Sequence, residues 1–392
     1  MKRKNLTIGI FGFGCVGRGL FDVLSRTGGI KASIKKICIK NQDKPRILSA
    51  PYFTTDKYDI LNDPEIDVVV ELINDEHAAF EIVKTAMQNG KAVVSASKKM
   101  IAENLYELYE LQQIHKVPFL YEGACCASIL IIRNLEEYYD NDLLHSLEGI
   151  INGSTNYILT KIFDENKSFI SALSEAQDLG FAETDPKLDI EGYDPKYKLC
   201  ILILHAFGIF VKPENIFNFG INRINDFDIS YARQQHSKIK LLAKCKKINN
   251  EVIAYVFPHL VNGTSQLNNI NNEYNGLILE SAFSDKQFFA GKGAGSTPTG
   301  SAVLSDISAL SYNYRYEYKK IGQAPVKSIN NNIPLKLYVR FSSTGQIDLK
   351  DFNFIHEQYT SDKIKYVIGT IALEKLIKVE WAKDENINLL VV

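Results

Sequence analysis

The sequence predicts an α/β protein with a doubly wound parallel sheet, followed by an α+β domain and a small α+β tail. Three observations carry this. Over residues 5–130, short β-branched runs alternate with helical patterns; strands that are apolar throughout and separated by helices belong to a parallel sheet covered on both faces. Between about 140 and 300, long helices and strand-like runs follow one another without strict alternation, the mark of an α+β arrangement. After Ile333 a short mixed series of strands and one helix closes the chain.

In the first region the expected strands are residues 6–11, 34–40, 67–72, 92–95 and 118–121. In the second, helices are expected at 156–163, 169–179 and 195–207, with strands at 146–151, 252–256 and 276–280. Helical spacing returns at 298–312, a segment expected to fold back onto the first domain. In the tail, strands are expected at 334–341, 363–370 and 387–392 around a helix at 372–381. A chain of 392 residues exceeds one ordinary core. The domains are therefore placed at 1–135, at 136–297, at 298–325 for the returning helix and at 326–392 for the tail.

The 45% hydrophobic and 23% charged residues are those of an ordinary globular protein. With 45 basic against 46 acidic side chains there is little net field to attract a polyanion, which argues against a nucleic-acid partner. The chain passes from Lys2-Arg3-Lys4 straight into a strand, and no apolar run is long enough to span a bilayer. A cytoplasmic location without membrane association is expected. Cys15, Cys38, Cys125, Cys126, Cys200 and Cys245 form no Cys-x-x-Cys pair, and no histidine is spaced to join them in a zinc site. Reduced thiols are expected.

Gly12-Phe13-Gly14-Cys15-Val16-Gly17 follows the first strand directly and opens a helix carrying Leu20, Val23 and Leu24 on one stripe. That is the setting of the G-x-G-x-x-G loop: a tight turn, a backbone that lets pyrophosphate approach, and a helix whose positive end faces the phosphates. The first domain therefore reads as a Rossmann domain for NAD or NADP. At the end of the second strand an NAD site usually carries an acid. Lys40, Lys44 and Arg46 stand there instead, as cations for a 2′-phosphate or as plain surface charge.

The run from Glu175 to Lys198 is rich in acids, including Glu183, Asp185, Asp189, Glu191 and Asp194, and then turns abruptly into an apolar helix. Asp194-Pro195 has the form of an N-cap and first helical residue, which puts Lys198 one turn in and on the same side as Asp194. Reduction of a carbonyl needs a proton donor at the oxygen, and oxidation of the alcohol needs the same group as acceptor. A lysine can serve, since burial lowers a lysine's pKa and neighbouring carboxylates raise it. A capped helix with a surface lysine would show the same spacing. Ser95-Ala96-Ser97-Lys98-Lys99 and Glu122-Gly123-Ala124-Cys125-Cys126-Ala127-Ser128 lie at the ends of successive strands, where open parallel sheets present residues to ligands. Cys125 or Cys126 could instead be the nucleophile of an acylating aldehyde dehydrogenase, given a thiolate-stabilising environment. The glycines of Gly291-Lys292-Gly293-Ala294-Gly295 make either a cofactor contact or a tight loop before the last long helix.

Four segments together resemble homoserine dehydrogenase over roughly residues 5–320. They are the loop 12–17, Gly149-Ile150-Ile151-Asn152-Gly153-Ser154-Thr155-Asn156-Tyr157-Ile158-Leu159-Thr160, the 175–198 run, and 291–306. The resemblance implies reversible, NAD(P)-dependent conversion of L-aspartate 4-semialdehyde to L-homoserine by a homodimer. It implies Lys198 as acid/base, Glu183, Asp189 and Asp194 as carboxylates at the substrate, and Lys98 as a second lysine near the carbonyl. Gly153 and Ser154 match substrate-loop positions, and Gly180 and Gly293 match approaches to the cofactor, as do Ser95 and Lys98. Glu122, with carbonyls around Cys125, Ala127 and Ile129, matches a monovalent-cation site, usually sodium. The chain departs from the family pattern at Ser97, where the family has Asn; at Asn74-Asp75, where it has two glycines; and at Ala127-Ser128-Ile129-Leu130, where it has Gly-Gly-Ile-Pro. The tail resembles a shortened ACT-type module. Two rival readings are an aspartate-semialdehyde dehydrogenase or other acylating enzyme, and a nucleotide sensor without catalysis.

Overall fold

The computed structural model describes residues 4–41, 45–141, 143–323, 328–362 and 364–392. They pack into two compact units. One gathers the residues up to Asn141, 200–210 and 291–323; the other gathers the stretches between them and the tail.

In the first unit, β1 (Leu6–Phe11), α1 (Cys15–Ser25), β2 (Ala32–Cys38), β3 (Phe53–Thr54), α2 (Tyr58–Leu61), β4 (Val68–Glu71), α3 (Glu76–Gln88), β5 (Ala92–Ser95), α4 (Lys98–Glu103), α5 (Leu105–His115), β6 (Phe119–Leu120) and α6 (Ile132–Glu137) follow in order. The six strands form a parallel sheet in the order β3-β2-β1-β4-β5-β6. Ile8, Ile10, Val69, Val70, Val93 and Val94 are all fully buried, which explains strands without polar alternation. The order reverses between β1 and β4, the switch point of a doubly wound sheet. The sequence reading missed β3, two residues long and therefore without periodicity.

The second unit is built on β7 (Leu144–Ile150), α7 (Gly153–Glu165), α8 (Phe169–Asp178), α9 (Lys187–Ile190), α10 (Tyr193–Phe207), β8 (Phe217–Asn218), α11 (Asp226–Gln234), β9 (Ser237–Ile248), β10 (Glu251–Asn262), β11 (Tyr274–Ser281) and β12 (Asp285–Lys292). Ser168 caps α8, and Asn225 with Asp228 forms a capping box on α11. Helix α10 begins at Tyr193, so Asp194 lies inside the first turn, whereas the sequence pattern placed it as the cap. The residues of α10 up to Leu199 group with the second unit and the rest with the first. β9 and β10 form a long antiparallel hairpin from Ser237↔Asn262 to Glu251↔Ile248. The sequence reading found only five residues of it. α12 (Ser296–Leu310) follows in the first unit, and it crosses α1 so closely that a Cβ at Gly19 or Gly300 would strike the opposing backbone.

The tail adds β13 (Ser328–Ile329), β14 (Pro334–Phe341), β15 (Phe354–Thr360), β16 (Lys365–Ala372), α13 (Leu373–Lys378) and β17 (Asn388–Val391). Its strands continue the second unit's sheet in the order β10-β17-β14-β16-β15. Residues 326–392, read from the sequence as a module of their own, thus share that sheet. They share a core too: Phe219, Tyr255 and Phe257 pack with Leu335, Leu337, Val339, Val367 and Leu389. The helix expected at 372–381 stops at Lys378, and β15, exposed along nearly all its length, was not foreseen.

Candidate functional site

The phosphate loop stands at the C-terminal end of β1. Gly12 takes a φ of +94°, a conformation that disfavours side chains. A Cβ on Gly17 would collide with the Gly12 carbonyl, while one on Gly14 would meet nothing. The loop is thus tight underneath and open above, the shape that lets a pyrophosphate approach the amides at the start of α1. Residues 12–17 fit a dinucleotide on this ground. Phe13 is buried against Phe21 and Phe53, and Cys15 is exposed. Ser296 Oγ donates to the Cys15 carbonyl at 2.6 Å, which brings the start of α12 to the loop. Gly293 lies just before it, next to Lys292, whose carbonyl accepts from Ser128 N at 3.1 Å.

Beside the loop, Glu71 ends β4 with no exposure. Its carboxylate accepts from Ile73 N at 2.7 Å, Ser95 Oγ at 2.6 Å and Ser97 Oγ at 2.9 Å, and burial raises its pKa. Ser95 is fully buried, its hydroxyl is engaged by Glu71, and it pairs with Glu71 at the end of β5. Ser97 Oγ also donates to the Ile73 carbonyl at 3.0 Å, which locks the turn before Lys98. Lys98 opens α4 half-buried. Lys40 follows β2, with Nζ 3.4 Å from Asp75 Oδ2. Arg46 lies over the Phe53 ring at 5.0 Å, and Lys44 falls outside the described residues. Glu71 could have been found in the sequence as an acid closing an otherwise apolar strand.

Glu122 caps α6. Its Oε1 accepts from Ile131 N at 2.6 Å and Ile132 N at 2.8 Å, and its Oε2 from Arg133 N at 3.0 Å. The Glu122 carboxylate therefore serves the start of α6. The following turn is curled by two left-handed residues, Cys126 at φ 43° and Ala127 at φ 45°, and the Cys126 carbonyl accepts from Ile129 N at 3.1 Å. Cys125, Cys126 and Ile129 are buried, as is Ala127. A nucleophilic thiolate needs access to substrate, and burial of both cysteines argues against the acylating rival. Among the described residues no group of three or more His, Cys, Asp or Glu side chains is placed to hold a metal ion.

In the second unit, Asn152 organises the acids and the lysine. As N-cap of α7, its Oδ1 accepts from Thr155 N at 2.8 Å, and its Nδ2 donates to Asp189 Oδ1 and Asp194 Oδ2, both at 2.7 Å. Lys198 Nζ donates to Asp194 Oδ2 at 2.6 Å and to the Ile151 carbonyl at 2.8 Å. Asp194 is 1% exposed and Lys198 7%, so this is a buried, hydrogen-bonded ion pair and no surface lysine. Gly153 and Ser154 begin α7, and Ser154 Oγ donates to the Phe181 carbonyl. Gly180 ends α8 in a left-handed conformation at φ +74°. Glu183 stands exposed on the following loop, outside this bonded group. Sequence reasoning gathered Asp194 with Lys198 but missed Asn152, although an Asn before Gly-Ser-Thr is a helix-cap signal.

Residues 12–122 match the family model for the homoserine dehydrogenase NAD-binding domain, and residues 131–308 match that for homoserine dehydrogenase. The chain is 34% identical over 321 residues to the homoserine dehydrogenase of Bacillus subtilis, covering 80% of this chain and 74% of that one. It is 35% identical over 314 residues to that of Helicobacter pylori, covering 78% and 73%. The crystal structure of a homoserine dehydrogenase from Thiobacillus denitrificans superposes with a TM-score of 0.86 at 29% identity, over 99% of this chain and 98% of that one. With a dinucleotide loop in one unit and a buried lysine–carboxylate group in the other, the chain belongs to the homoserine dehydrogenase family.

Proposed function

We propose that this protein reversibly reduces L-aspartate 4-semialdehyde to L-homoserine with NADPH or NADH, in the threonine and methionine branch of the aspartate pathway, with Lys198 as general acid and base. The observation that carries the reading is the buried Asn152–Asp194–Lys198 group, in which the lysine amine is fixed by a carboxylate and a backbone carbonyl. When bound, the nicotinamide supplies the hydride. Lys198 gives its proton to the carbonyl oxygen as charge develops there, and takes one back from the hydroxyl in the reverse direction. Asp194 orients the amine, and Lys98 assists at the same oxygen. Glu183 and Asp189 hold the substrate's ammonium group, and Gly153 and Ser154 border the substrate.

The backbone of Gly12, Phe13, Gly14, Cys15, Val16 and Gly17 holds the pyrophosphate, with Ser95, Gly180 and Gly293 approaching the cofactor. Lys40 and Arg46 favour NADP over NAD. A monovalent cation, usually sodium in the family, is assigned to Glu122 and the carbonyls around Cys125, Ala127 and Ile129. The tail is read as a shortened ACT-like module: numbered within the tail alone, β14, β15, β16 and β17 run in the order 4-1-3-2, with the first helix reduced to the single turn Leu349–Asp351. The reading includes a cytoplasmic homodimer, which light scattering would find at twice 44.2 kDa. Among the described residues no helix is long and apolar enough to cross a membrane.

NADPH consumption with aspartate semialdehyde tests the assignment. Lys198→Ala should lose at least about 10²-fold in kcat and keep its dinucleotide affinity. Unchanged turnover removes Lys198 from its role. Phosphate-dependent aldehyde oxidation by the wild type would point to the acylating reading, and dinucleotide binding without turnover to a sensor.

A further inference from the structure

Lys40 follows β2 and Asp75 follows β4, and in the sheet β1 lies between those strands. The 3.4 Å contact between Lys40 Nζ and Asp75 Oδ2 therefore links the segments that follow the two neighbours of β1, at the switch point on the C-terminal edge of the sheet. Dinucleotides bind across that crevice, and the residue ending the second strand meets the adenosine ribose. The pair contributes little to the fold: the side chains are 86% and 45% exposed, and an exposed ion pair is weak. Asp75 is nevertheless fixed in place. Its Oδ1 accepts from Ala78 N at 3.0 Å as the cap of α3, and that bond and Lys40 hold its pKa below the usual carboxylate value.

We propose that Asp75 is a specificity-determining residue of the dinucleotide site: it occupies Lys40 and sets a fixed negative charge where a 2′-phosphate has to approach. The proposal rests on the dinucleotide reading of this unit. A 2′-phosphate that binds Lys40 shares its ammonium with Asp75 and lies beside a carboxylate. A ribose 2′-hydroxyl carries no charge and can donate to the same carboxylate. Asp75 thus narrows the preference for NADP that Lys40 and Arg46 create.

The test is equilibrium titration of the full-length protein with NADP+ and with NAD+, by calorimetry and without substrate. Asp75→Asn removes the charge and keeps a good helix cap, and Asp75→Ser is a second variant of the same kind. Both should tighten NADP+ binding about three- to tenfold relative to NAD+ at low salt, with the gain shrinking as salt screens the charge. Lys40→Met should weaken NADP+ and spare NAD+. Equal shifts for both dinucleotides in the Asp75 variants, or an unchanged ratio, overturn the proposal, as does a Lys40→Met protein with full NADP+ affinity. A wild type that binds neither dinucleotide sinks the dinucleotide reading itself, and this proposal with it.

Discussion

Asn152 joins three tasks in one side chain: it caps α7, holds Asp189 and holds Asp194. Asn152→Asp keeps the cap but replaces the two donors with a third carboxylate beside two others. Each lost bond to a charged group is worth about 1.5–3 kcal/mol, so kcat/KM should fall by about two orders of magnitude or more while α7 stays folded; steady-state kinetics with circular dichroism would check this, and near-normal turnover would contradict it. Lys240 makes a different prediction. It is 1% exposed, its Nζ donates to Asn156 Oδ1 at 3.0 Å and to the Ile270 carbonyl, and burial pushes its pKa down from 10.5 to about 7. Between those values the unfolded chain carries a proton that the folded chain does not, so this residue's contribution is least favourable below pH 7 and improves as pH rises to 10.5. Lys240→Met should remove that slope, worth a few kcal/mol, on the order of 1.4 per pKa unit, from denaturant-unfolding curves across the window. At this scale the Asp194–Lys198 pair was legible because it is local in sequence. The roles of Asn152 and Lys240 were not, because their partners come from distant segments.

At the scale of elements, the crossing of α1 and α12 depends on Gly19 and Gly300 facing each other. Gly300→Ala would force the helices apart. Overpacking of this kind costs about 1–3 kcal/mol, and because Ser296 holds the Cys15 carbonyl, the phosphate loop should loosen with it. A lower melting temperature together with weaker dinucleotide binding is expected; a normal affinity would separate the crossing from the loop. The strands of the parallel sheet were readable, since burial on both faces makes them apolar throughout. The Lys-rich β9 escaped the sequence reading altogether, because lysines at 238, 240, 244, 246 and 247 interrupt the apolar run. β15 hid for the opposite reason: nearly all of it is exposed, so no face is marked by apolar residues.

At the scale of the whole molecule, the tail is bound into the second unit by more than its strands. Arg340 Nε donates to Asp228 Oδ1 at 2.9 Å, and Arg223 donates to the carbonyls of Ala382 at 2.9 Å and Asp384 at 2.8 Å. Both Asp228 and Arg340 are buried, and removing one partner of a buried pair leaves the other charge uncompensated at about 3–5 kcal/mol. Arg340→Met should therefore lower stability by that order in chemical denaturation; a change within about 0.5 kcal/mol, as at an ordinary surface site, would show the pair to be dispensable. Deleting residues 328–392 would uncover Phe219, Tyr255 and Phe257, which the tail helps to bury. The truncated chain should aggregate, as measured by its soluble yield, and a soluble, active truncation would show that this core closes without the tail.

By itself the sequence determined the class of each region, the dinucleotide loop and the lysine one turn after its carboxylate, because periodicity, glycine spacing and helical offsets are local properties that any fold must respect. Only the tertiary structure decided which buried atoms satisfy one another. It gave the Glu122 carboxylate to a helix end, placed Asn152 between two acids, set Asp75 against Lys40 and continued the tail's strands from β10. These pairings join residues from about ten to more than a hundred positions apart, and they follow from burial, which leaves a polar group to find its partner wherever packing brings one.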